Sequence, residues 1–163
     1  KYFTYINQEL PTLCRRFFGI QPVPERTYIM GLSMGGYGAM KCAFTAPQQY
    51  AGCAGFSSVA EIQAELPQLC RWHEDQAIFP HGIVPPQDDL FDLVEKFRDG
   101  TCPMPRLFLA CGQQDSLYPA NLRLRDTLQA MNWPLTWYEA PGDHNWFFWN
   151  DALGRAMKEL LEN

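Results

Sequence analysis

The chain has 163 residues, 47% hydrophobic and 14% aromatic, which supplies enough apolar surface to fill one ordinary packed core. Its formal net charge is -5 with no clustered Lys or Arg, which excludes the electrostatic footprint of a nucleic-acid or anionic-membrane binder. No apolar run approaches the roughly 20 residues that a bilayer span requires, so one soluble domain over residues 1–163, acting on a small organic molecule, is expected.

In chain order, Phe3, Ile6, Leu10, Leu13 and Phe17 recur at three- and four-residue spacing and predict an amphipathic helix ending near Gly19. Pro11 kinks it or divides it into two pieces. Arg26 to Leu32 reads as a short strand and Met34 to Thr45 as a helix stopped by Pro47. Ala51 to Phe56 is a second, buried strand. From Ser57 to Pro105 the pattern loosens, broken by Pro67, Pro80, Pro85, Pro86, Pro103 and Pro105. Only Leu90, Val94 and Phe97 suggest a short helix there, capped by Asp88 or Asp89. Residues 58–105 are therefore expected to be an irregular excursion rather than sheet. Arg106 to Cys111 reads as a strand, and a helix after Pro119 carries Ala120, Leu124, Leu128 and Met131 on one face. Leu135 to Ala140 is the last strand. A closing helix is expected to turn Trp146, Trp149, Leu153, Met157 and Leu160 to the core.

Apolar strands alternating with helices predict a mainly parallel sheet covered by helices on both faces, an α/β three-layer sandwich. In such sheets ligands bind outside the carboxyl ends of the strands, so the loops after Leu32, Phe56, Cys111 and Ala140 are the places to look for chemistry. The six cysteines, Cys14, Cys42, Cys53, Cys70, Cys102 and Cys111, show no Cys-x-x-Cys spacing. They read as reduced thiols in a cytoplasmic protein. Lys1 to Leu10 has no signal-peptide core, although the chain does not begin with Met and an upstream targeting segment stays open.

Gly31-Leu32-Ser33-Met34-Gly35 matches Gly-x-Ser-x-Gly, in which the serine sits on a strained turn between strand and helix and projects its hydroxyl. Gly31 and Gly35 are expected because that turn is crowded, and Gly36 and Gly38 because helix and strand must approach closely. A serine hydroxyl attacks only when a base takes its proton. His73 and His81 lie in the loose middle segment and read as surface residues. His144, after the last strand, lies at the same carboxyl end as Ser33. The imidazole needs a carboxylate at its other nitrogen, and Asp115, after the preceding strand, is best placed. Asp143 is the rival, but adjacent side chains in an extended loop diverge. Asp151 is a further candidate, and Asp88 and Asp89 read as helix caps. The backbone N–H of Met34, at a helix N-terminus, is the expected oxyanion donor. His73, Glu74 and His81 lack metal-ligand spacing, so no metal or organic cofactor is expected.

The order Ser33, Asp115, His144 is that of α/β-hydrolases. Gly31 to Ala39, Asp115 in its Gly112-x-x-Asp115 setting, and Gly142-Asp143-His144-Asn145-Trp146-Phe147-Phe148-Trp149 resemble the esterase family that includes esterase D (S-formylglutathione hydrolase), tributyrin esterases, feruloyl esterases and mycolyltransferases. Leu32 before the serine is similar to the tributyrin and feruloyl branch. The resemblance implies a serine carboxylic-ester hydrolase of small acyl esters. Its alternatives are acyl transfer of the mycolyltransferase kind, or a noncatalytic binding module that retains the fold. It also implies that this chain is the C-terminal part of such an enzyme, with an N-terminal segment or chain carrying the other oxyanion donor as its partner. Self-association into a homo-oligomer stays open.

Overall fold

The structure, a computed structural model, describes residues 2–69 and 78–162; the readings of Cys70, His73 and Glu74 lie outside them. Among the described residues, four short strands make one parallel sheet in the order β1 (Tyr28–Leu32), β2 (Gly52–Phe56), β3 (Arg106–Gly112) and β4 (Leu135–Ala140). Each strand pairs with the next in sequence, because a parallel neighbour is reached only by a crossover, here largely helical. The register pairs Leu32 with Phe56, Phe56 with Ala110, and Gly112 with Ala140. All four strands thus end along one edge, and that alignment brings distant loops together.

Alternation along each strand divides the core into two layers. Cys53 of β2 and Leu107 and Leu109 of β3 face one apolar cluster, while Ala54, Phe56, Phe108 and Ala110 face the other. Both faces are covered, which is why the central strands read as unbroken apolar runs. The larger cluster is roofed by α2 (Met34–Thr45), α4 (Leu90–Glu95) and α5 (Tyr118–Ala130), and the smaller by α6 (Trp146–Leu161).

The expected N-terminal helix is one helical run of changing pitch: an α-turn at Tyr2–Thr4, a π-segment at Tyr5–Glu9, and α1 (Leu10–Phe18). The N–H of Leu10 reaches back to Tyr5 O, and Pro11, which has no N–H to give, falls where the wider π-segment gives way to α1. Gly19 closes α1 in the left-handed region at φ 67°.

Two expectations need correction. The described part of the middle segment carries no strand, as expected, but it is packed: Val59, Ala60, Ile62, Leu66, Val84, Leu90, Val94 and Phe97 are buried in the larger cluster. It also carries a helix, α3 (Ile62–Leu69), that Pro67 concealed. Asp89, not Asp88, caps α4, accepting from the N–H groups of Phe91 and Asp92. The buried stripe of α6 is Phe148, Trp149, Ala152, Ala156 and Leu160, rotated from the expected face, with Trp146 and Met157 exposed. Ala152 and Ala156 let the helix lie close to the sheet, so small residues share its inner side with Phe148, Trp149 and Leu160.

Candidate active site

Ser33 stands in the turn between β1 and α2 at φ 55° and ψ -124°, a conformation that costs free energy for any residue with a Cβ. The turn is held from several sides. Ser33 N–H donates to Phe56 O at 2.9 Å, and Ser33 O accepts from Gly36, Tyr37 and Val59 N–H at 3.0, 3.2 and 3.3 Å. A Cβ on Gly31 would stand 2.1 Å from Gly35 O, and one on Gly36 would stand 2.2 Å from Ser58 Oγ. Gly35 and Gly38 have open space. The crowding expected of the motif thus falls on Gly31 and Gly36 instead of Gly35 and Gly38. The Met34 N–H, first in α2, donates to no group among the described residues and is available to a negatively charged oxygen.

Asp115 stands in the turn between β3 and α5. Its side chain is fully buried; Oδ1 accepts from Leu117 N–H at 2.9 Å, which leaves Oδ2 aimed outward. His144 follows β4 by four residues, just before the first turn of α6, whose cap is Asn145. Its Nδ1 lies 2.9 Å from Asp115 Oδ2 and its Nε2 lies 3.0 Å from Ser33 Oγ. The structure therefore brings Ser33, Asp115, His144 and the Met34 amide into one continuous arrangement. Nδ1–H donating to the carboxylate leaves Nε2 as a lone-pair acceptor for the serine proton, the tautomer that proton abstraction requires.

The rival acids are elsewhere. Asp143 Oδ1 accepts from His144's own backbone N–H at 2.7 Å, shaping the loop rather than the ring. Asp151 binds Tyr138 and Arg155, and Asp88 pairs with Lys41. His81 is exposed.

Several supporting residues were not found from sequence. Gln114 ties the acid loop to the base loop, its N–H donating to Gly142 O at 2.9 Å and its Oε1 accepting from Gly142 N–H at 2.6 Å. A Cβ on Gly112 would stand 2.4 Å from Gly142 O, so these loops touch through backbone. Asn121 of α5 receives Ser58 N–H and donates to Ser58 O and Leu117 O. Cys111 is held as a neutral thiol, pushed up to about 12 by burial and then by the nearby charge of Asp115. The signal that could have found Gln114, Gly112 and Gly142 is positional, since they lie at or just beyond the carboxyl ends of β3 and β4; Asn121, inside α5, carries no such signal. Met34, next to Ser33, and Trp146 and Phe147, two and three residues after His144, expose apolar side chains.

Against this geometry, the family model described as "Putative esterase" matches residues 1–100. An acetyl esterase of Caldicellulosiruptor saccharolyticus is 28% identical, over 97% of this chain and 63% of its own length. A structure of FphF, a fluorophosphonate-binding serine hydrolase of Staphylococcus aureus with substrate bound, superposes with a TM-score of 0.86 at 30% identity, covering 99% of this chain and 64% of that one. The S-formylglutathione hydrolase FrmB of the same organism gives a TM-score of 0.81 at 30% identity, over 98% of this chain and 60% of that one. The chain thus spans less than two thirds of the length of these relatives. Its architecture is that of the α/β-hydrolase esterases, a three-layer sandwich on a parallel sheet.

Proposed function

The chain belongs to the esterase family whose model matches it, and from that premise we propose that it performs carboxylic-ester hydrolysis through an acyl-serine intermediate, on small acyl esters. The observation that carries the reading is the unbroken relay from Ser33 Oγ through His144 to the buried Asp115 carboxylate. Ser33 Oγ attacks the ester carbonyl carbon while its proton passes to His144 Nε2. The carbonyl π electrons move to oxygen, and the Met34 N–H, backed by the N-terminal end of α2, stabilises that oxyanion. The imidazolium, held by Asp115, returns the proton to the departing alcohol oxygen as the ester bond breaks. Water then repeats the sequence on the acyl-serine, with His144 again as base, releasing the acid and restoring Ser33. No metal or organic cofactor enters any step.

Small acyl groups are supported by the acetyl esterase relative. A cytoplasmic setting is supported by the free thiols Cys14, Cys42, Cys53, Cys102 and Cys111. The test is a fluorophosphonate probe and a series of p-nitrophenyl esters of increasing acyl length. The expected result is covalent modification at Ser33, absent in Ser33→Ala, with turnover highest for the shortest acyl chains. A protein that neither labels nor turns over any ester would overturn the reading.

A further inference from the structure

The loop after β2 contributes no member of the Ser33, His144, Asp115 relay, yet it touches the Ser33 turn and the two helices, α5 and α6, that follow Asp115 and His144. Phe56 O and Val59 N–H bracket Ser33, and the backbone of Ser58 is clasped by Asn121 of α5, the helix that follows Asp115. Between them Ser57 is wholly buried at φ 44°. Glycine would adopt that backbone more cheaply, so the presence of serine indicates a use for its hydroxyl. Ser57 Oγ accepts from the indole N–H of Trp149 at 3.1 Å, with the Cys111 thiol 3.8 Å away on its other side. The indole in turn stands edge-to-face against the His144 ring, centroids 4.8 Å apart at 86°.

His144 needs such a neighbour because its side chain is one-third exposed and its two ring bonds alone leave the ring free to tilt about the line joining them. We propose that Ser57 is a positioning residue for His144, acting through Trp149: the hydroxyl fixes the indole, and the indole fixes the imidazole plane so that Nε2 stays aimed at Ser33 Oγ. This rests on the relay reading given above.

The test compares Ser57→Gly, Trp149→Phe and the double variant with the unmodified protein, at a temperature where circular dichroism shows each to be folded. Ser57→Gly removes the hydroxyl and relieves the backbone; Trp149→Phe removes the indole donor and leaves an aromatic ring beside His144. Each single variant is expected to lower kcat for p-nitrophenyl acetate and the rate of Ser33 phosphonylation by about ten- to a hundredfold, with KM changed by less than about threefold. The double variant should be no slower than the slower single one, because both act on one contact. Folded variants with rates within about twofold of the unmodified protein, or effects that multiply, would overturn the proposal. Should Ser57→Gly fail to fold, Trp149→Phe decides alone by the same criterion. If the unmodified protein itself never labels at Ser33, the relay reading fails first and takes this inference with it.

Discussion

On the proposed mechanism Ser33, His144 and Asp115 act in series, so removing one disables the others. Ser33→Ala and His144→Ala are each expected to lower kcat by about four to six powers of ten, measured as p-nitrophenyl ester turnover. The two aspartates near His144 separate by what they touch. Asp115→Asn turns the wrong face of an amide to Nδ1 and should cost about a thousandfold or more. Asp143→Asn keeps an oxygen for the His144 backbone N–H and should cost less than about tenfold; the reverse order would reassign the acid. A third carboxylate acts on stability. Burial pushes Glu65 up to about 7 against the hydrogen bond it accepts from Glu61 N–H and the charge of Arg123, with the charges of Glu61 and Asp115 adding to the rise. A carboxyl that binds its proton more tightly when folded stabilises the protein fully below its ordinary value near 4.5, and that contribution is lost as pH rises through about 7. Glu65→Gln should therefore raise Tm relative to the unmodified protein at pH 8 and not at pH 5, as read by thermal melts at the two pH values.

At the scale of elements, the nucleophile turn makes opposite demands on its glycines. Gly31→Ala would press a methyl group against Gly35 O and should destabilise by about 1–3 kcal/mol or more. Gly35→Ala meets open space inside a helix and should be neutral or stabilising by about 0.5–1 kcal/mol; chemical denaturation of both variants checks the pair. The sequence motif could not distinguish these two positions, since it records which residue is small and not which neighbour makes it so. The strands, α2 and α5 were legible because apolar runs and helical spacing report local burial directly. The helix α3 was not, because Pro67 within it reads as a breaker, and the buried stripe of α6 was misread because Ala152 and Ala156 carry little hydrophobic signal. Ser33, Asp115 and His144 were readable as strand-end residues of the right chemical types. Ser57 and Trp149 were not, since a buried serine and a core tryptophan look structural until their bond is seen.

Across the whole molecule, β1 pairs only with β2 among the described residues, leaving its other edge open beside a groove of about 1140 Å³ bordered by Phe3, Ile6, Ile29 and Met34. Phe17, Phe18 and Ile20 are also exposed. An unpaired apolar edge recruits another strand, so the 163-residue chain at micromolar concentration is expected to form concentration-dependent oligomers in size-exclusion chromatography. A monomer at every concentration would contradict this. The contact between Ser33 and His144 spans 111 positions of sequence, and it exists only once β1 to β4 stand side by side. Helices form in microseconds or less, whereas parallel pairings between distant segments form slowly. During refolding from denaturant, far-UV ellipticity should therefore return well before reactivity toward a fluorophosphonate. The nucleophile then serves as a clock for the last event of assembly.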